Sequence, residues 1–176
     1  MTGQWFQTTD PEVIEKLFND LIAEASEEEH VSILFNLLQS CLDMAARGAE
    51  TGQGILQRDG VIGAVTILSF LRQHLRANSR NPANGVLRRF YNAAHRQIVT
   101  AHRDDVGARL RDVRTSIAKV IQKPYSTSFF HNCLQETCWT RKDLMRLILC
   151  AQVRACICRV DSPILIFADE RSGKHA

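Results

Sequence analysis

Residues 26–48, SEEEHVSILFNLLQSCLDMAARG, decide the fold class. Ser26 followed three residues later by Glu29 is a capping-box pattern, and Val31, Leu34, Phe35, Leu38, Cys41, Leu42 and Ala45 then recur at helical spacing. Glu27 to Glu29 suit the positive end of a helix dipole, so these carboxylates need no catalytic role. The helix is expected to end near Gly48. Upstream, Asp10 and Pro11 pair an N-cap with a proline at the first helical position. Val13, Ile14, Leu17, Phe18, Leu21 and Ile22 keep the same period, which predicts a helix from Pro11 to about Ala25.

Downstream, Gly48, Gly52, Gly54, Gly60 and Gly63 form a glycine patch with neither GxGxxG nor GxxxxGK[ST] order, so it reads as a loop and a loosely specified helix start. Val61 to Leu75 resumes an apolar helical pattern. The stretch ANSRNPANG at 77–85 is the strongest break in the chain. Asn81 and Pro82 open another helix carrying Val86, Leu87, Phe90, Ala94 and Ile98. A further one repeats Val106, Leu110, Val113, Ile117 and Val120 or Ile121 until Pro124 stops it. A short helix is expected over Ser128 to Glu136. Thr140 with Asp143 then caps a last long helix bearing Leu144, Leu147, Ile148, Ala151 and Ala155, interrupted by Pro163; ILIF at 164–167 could pack back or form a short strand. No segment alternates with period two between hairpin turns. The expectation is an all-α protein of roughly six to eight helices in two small subdomains, an acidic one over 1–79 and a basic one over 80–167, with a polar tail at 168–176.

Charge supports that division. Residues 1–71 hold 3 Lys+Arg against 11 Asp+Glu, and residues 72–176 hold 19 against 8. Within 72–114 there are ten arginines, three aspartates and no lysine. Such asymmetry suits a basic surface for a polyanion, or acidic and basic faces that steer identical subunits into head-to-tail contact. Arginine outnumbers lysine 17 to 5, and a guanidinium grips phosphate oxygens with two parallel hydrogen bonds. Arg88, Arg89, Arg96, Arg103, Arg109, Arg111 and Arg114 have few carboxylates nearby in sequence, which points to polyanion binding. Lys142 joins them on charge alone. Phe90 and Tyr91 are the only aromatic residues in this region, which favours shape readout of an A-form duplex over stacking on single bases.

The residues that could carry catalysis, His74, His95, His102 and His131 with scattered cysteines, lie in no specific motif, and the pair His131 and Cys133 lacks the context of a thiol hydrolase. No enzyme activity and no catalytic residue are therefore expected. Cysteines at 41, 133, 138, 150, 156 and 158 fit reduced, buried thiols better than a secreted disulfide framework. Zinc held by His131, Cys133, Cys138 and Cys150 is a weaker alternative without a CxxC pair; no metal or cofactor is expected. No basic start precedes an apolar run, and no uninterrupted apolar stretch approaches the ~20 residues that span a bilayer. The chain reads as soluble and unprocessed, with no membrane partner and no small-molecule substrate.

Two stretches carry a resemblance. RDDVGARLRDVRTSIAKVI at 103–121 is similar to the basic amphipathic helix of the small closteroviral RNA-silencing suppressors, and WTRKDLMRLILC at 139–150 resembles an aromatic-Ser/Thr-x-x-acid-Leu-Leu-basic-Leu pattern of the same family. The likeness begins at about Pro82 and covers under half of the chain well. The glycine patch and the residues after Val160 depart from the family. The resemblance implies an all-helical, non-catalytic protein whose copies join head to tail into a ring with basic side chains facing inward. It further implies that RNA, small duplexes and possibly single strands, is sequestered in the host plant cell cytoplasm. Arg103, Arg111, Arg114 and Arg146 stand where the family pattern has basic residues. A helical nucleocapsid or coat protein and a helical protein-interaction adaptor are the alternative functions.

Overall fold

In the computed structural model, residues 12, 16, 20, 22–77, 79–101, 105–122 and 126–150 are described, the side chains of 126 and 127 excepted. The fold is all-α, with no strand among the described residues. Six helices have described bounds: α1 Glu27–Glu50, α2 Gly54–Gln73, α3 Pro82–Thr100, α4 Val106–Gln122, α5 Ser126–Glu136 and α6 Arg141–Ile148. Residues 12, 16, 20 and 22–24 are helical and fall within the helix expected from Pro11, most of which lies outside the described residues.

Helix α1 starts where its local chemistry says it should. Ser26 Oγ accepts from the Glu29 amide at 3.4 Å while Glu29 Oε2 accepts from the Ser26 amide at 2.6 Å. Such reciprocal caps satisfy two of the amides that a helix start leaves orphaned. The helix runs two residues past Gly48, and Thr51 then donates both its amide and its hydroxyl to the Arg47 carbonyl. Gly52, at φ 71°, makes the left-handed turn into α2.

The glycine patch is a correction. Gly48, Gly60 and Gly63 are helical and buried, not loop. A Cβ on Gly48 would collide with the Gln57 backbone, and one on Gly60 would stand 2.6 Å from the Cys41 carbonyl oxygen and the Ala45 amide. The absent side chains therefore let the α1 and α2 backbones approach closely. Helix α2 is long and apolar enough to cross a bilayer by length and composition, and it lays Ala64, Ile67, Leu68 and Leu71 into the protein core.

Helix α1 is central, packing against α2, α4 and α5; α3 packs against α2, α4 and α5, and α6 against α2. Asn81 Oδ1 caps α3 through the Ala83 amide at 3.0 Å, with Pro82 in its first turn. Its buried face is Asn84, Leu87, Tyr91, Ala94 and Ile98, so Val86, expected inside, is 55% exposed. Tyr91 is turned inward beside Phe35, their ring centroids 6.4 Å apart, and Phe129 and Phe130 of α5 close the same cluster at 5.8 and 6.2 Å from Phe35. Helix α4 buries Gly107, Leu110, Val113 and Ile117, following the expected stripe.

Thr140 and Asp143 form the expected capping box on α6, but the helix stops at Ile148, with Leu149 and Cys150 in a turn. The expected continuation through Ala151 and Ala155, the segment 164–167 and the tail lie outside the described residues. Residues on both sides of the expected 79/80 boundary contribute to one buried cluster, from Ile22 to Ile148. The two sides are also tied by backbone: Leu75 bridges Thr137, Arg76 N donates to Glu136 O at 2.8 Å, and Cys138 N donates to His74 O at 2.8 Å.

Candidate nucleic-acid interface

Two of the arginines expected to lack carboxylate partners have them. Arg111 meets Glu50 through Nε at 2.7 Å and Nη2 at 2.6 Å, and Arg114 Nε meets Asp43 Oδ2 at 2.7 Å. Both pairs join α4 to α1, at the seam where a Cβ on Gly107 would stand 2.8 Å from Glu50 Cγ. The Arg111 hydrogen bond holds the Glu50 carboxyl below the usual glutamate range, and the same contact raises the Arg111 guanidinium. The side chains of all four are roughly half-exposed, so each pair is screened by water and modest in strength. In the sequence alone Arg111 and Arg114 belong to a free basic surface, because their partners lie 61 and 71 residues away.

Other arginines have no carboxylate partner among the described residues. Arg88, Arg89 and Arg96 are exposed on α3 and Arg109 is exposed on α4, and no carboxylate of the described residues lies within ion-pair distance of them. Arg103 lies outside the described residues. Lys142 is exposed in the first turn of α6, and Arg146, 71% exposed, is 3.9 Å from Asp143 one turn earlier on the same helix. The structure thus gathers Arg88, Arg89 and Arg96 on one helix, turns Arg111 and Arg114 toward α1, and sets Lys142 and Arg146 on a helix packed against α2. A residue missed from the sequence is Arg72, exposed in the last turn of α2, whose Nη1 donates to Asn92 Oδ1 of α3 at 3.4 Å.

No aromatic side chain among the described residues is exposed. Phe90 packs on Tyr91 and Phe129, and Trp139 stacks on Phe70 with centroids 5.6 Å apart. These rings serve the core rather than a stacking platform for bases.

Several groups with catalytic chemistry make contacts within the fold. Cys133 is buried and faces the Tyr91 hydroxyl at 3.6 Å; burial pushes its thiol up to about 12, which keeps it protonated at neutral pH. His131 is exposed and bonded to Gln135 at 2.8 Å. Cys133 and Cys138 are free thiols. An open groove of about 460 Å³ between α2 and α6 is lined by Phe70, His74, Asp143, Arg146 and Cys150, among others; His74 Nδ1 lies 2.9 Å from the Phe70 carbonyl, which accepts a hydrogen bond from it. Asp143 is committed to its cap: Thr140 donates to it from the hydroxyl at 2.7 Å and from the amide at 2.9 Å, holding its carboxyl below the usual range. No cluster of three or more metal-ligating side chains occurs among the described residues.

No protein-family model matches the chain, and neither a curated protein nor a solved structure does.

Proposed function

We propose that this chain is a non-catalytic RNA-binding protein that sequesters RNA, small duplexes above all, and that it suppresses host RNA silencing in the plant cytoplasm as the family it resembles in two stretches does. The observation that carries the RNA-binding part is the set of exposed guanidiniums on α3, Arg88, Arg89 and Arg96, without carboxylate partners among the described residues. Like charges held on one helix face cost free energy unless an anion compensates them, and phosphate suits the guanidinium fork best. The inward-turned aromatic rings favour contact with phosphates and 2′-hydroxyls over base stacking. Arg109, Lys142 and Arg146 are exposed and belong to the wider basic surface. Arg111 and Arg114 act in this reading first as clamps between α4 and α1. Exposed Glu27 and Glu28 at the start of α1 offer an acidic surface for the basic half of a neighbouring copy, in keeping with a head-to-tail assembly.

The test is a gel-shift titration of a short RNA duplex against a single strand, with the oligomer mass measured in parallel. Tighter, salt-sensitive binding of the duplex by an oligomer is expected; binding of neither at low salt overturns the reading. A second reading, a protein-interaction adaptor, draws on the Arg111–Glu50 contact, because it pairs this chain's guanidiniums with carboxylates rather than phosphates. Binding to an acidic protein but not to RNA would favour it.

A further inference from the structure

Positions 88, 92 and 96 of α3 are four apart, so they form one line along the helix with steps of about 6 Å. Arg88 and Arg96 are exposed at its two ends, and Asn92 is half-buried between them. The Asn92 side-chain oxygen accepts from Nη1 of Arg72 at 3.4 Å, which draws a third guanidinium, from the neighbouring helix, toward the middle of the line. Helix-dipole complementarity explains a basic residue in the last turn of α2. It does not explain a hydrogen bond reaching across to α3. No carboxylate of the described residues lies within ion-pair distance of Arg72, Arg88 or Arg96.

We propose that Arg72 is the central phosphate contact of a single binding stripe, Arg88–Arg72–Arg96, so that the surface for the ribose-phosphate chain crosses from α2 to α3. The inference rests on the RNA-binding reading and adds to it a residue from the other side of the ANSRNPANG break, together with Asn92 as its positioning residue. Anchoring matters because a long side chain already held by a neighbour loses less freedom when a ligand arrives. The stripe therefore joins the two halves of the chain in one ligand contact.

The test is titration of the full chain with a short RNA duplex over a range of salt. Each phosphate contact contributes about 0.9 to the slope of log affinity against log salt, so Arg72→Gln is expected to lower the slope by about 0.9, as Arg88→Gln does. Asn92→Ala keeps the charge and is expected to keep the slope while weakening binding roughly two- to fivefold, because the released Arg72 side chain regains freedom that the ligand must then remove. Helical circular dichroism of all three variants should match wild type, with the unfolding midpoints of Arg72→Gln and Asn92→Ala only slightly lowered by loss of the exposed hydrogen bond. Wild-type slope and affinity in Arg72→Gln, with Arg88→Gln impaired, removes Arg72 from the site and leaves the RNA-binding reading standing. Failure of the wild-type chain to bind the duplex removes both. Equal, Arg72-dependent binding of polyglutamate overturns phosphate as the ligand class.

Discussion

Arg111 and Glu50 are 61 residues apart in the chain and meet in a two-point contact at 2.7 and 2.6 Å. The pair shows how a sequence with its charges separated end to end folds them back onto one another. Helix α4 carries the basic partner, α1 the acidic one, and Arg114 with Asp43 forms a second, one-point pair about two turns earlier on α1.

Stability should follow this pair with pH. The Glu50 carboxyl is held below its unfolded value, so its contribution is complete above the ordinary glutamate range and is lost as pH falls through the lowered folded value. Thermal melts of Glu50→Gln are expected to lie below wild type at neutral pH, with the gap closing in acid. A gap that widens in acid contradicts the assignment.

Charge reversal at Arg111 and Arg114 together faces each carboxylate with a like charge. The double variant is expected to unfold at lower denaturant than wild type. Its RNA affinity is therefore interpretable only beside that measurement, whereas Arg88 and Arg96, without partners among the described residues, can be reversed with little effect on stability.

Two glycines should respond oppositely to alanine. Gly60→Ala sets a Cβ against α1 backbone and is expected to cost roughly 1–3 kcal/mol. Gly54, at the start of α2, has nothing within 4 Å of an added Cβ, and Gly54→Ala should be neutral or stabilising by up to about 1 kcal/mol. Denaturant midpoints with unchanged m-values measure both.

Thiol reactivity should sort by burial. Among the described cysteines of the native protein, Cys138 is exposed and should be alkylated first, while buried Cys41 and Cys133 should react only on unfolding. Mass spectrometry of timed labelling reads the order; early modification of Cys133 would contradict the packing of Tyr91 against it.

What was legible in the sequence was local. The caps at Ser26, Asn81 and Thr140 and the stripe Leu110, Val113, Ile117 depend on residues within a turn or two, and the structure has them. The choice between Val86 and Tyr91 for the inner face of α3 was not legible. Both fit helical spacing beside Leu87, and the decision belongs to Phe35, Phe129 and Phe130 on other helices. The same holds for the candidate site. Composition marked α3 and α4 as basic, but only the fold tells Arg88 and Arg96 from Arg111 and Arg114, because the carboxylates that decide are on α1. Gly48, Gly60 and Gly63 looked like turn residues because their reason, a neighbouring backbone, is remote in the chain.

The central claim is that the guanidiniums of α3 hold a ribose-phosphate chain, and it is tested most directly by titrating a short RNA duplex, across salt, with wild type and with Arg88→Glu, Arg89→Glu and Arg96→Glu combined. Three lost phosphate contacts predict a slope of log affinity against log salt that falls by about 2.7, with helical content unchanged. A folded triple variant that binds with the wild-type slope would contradict the account.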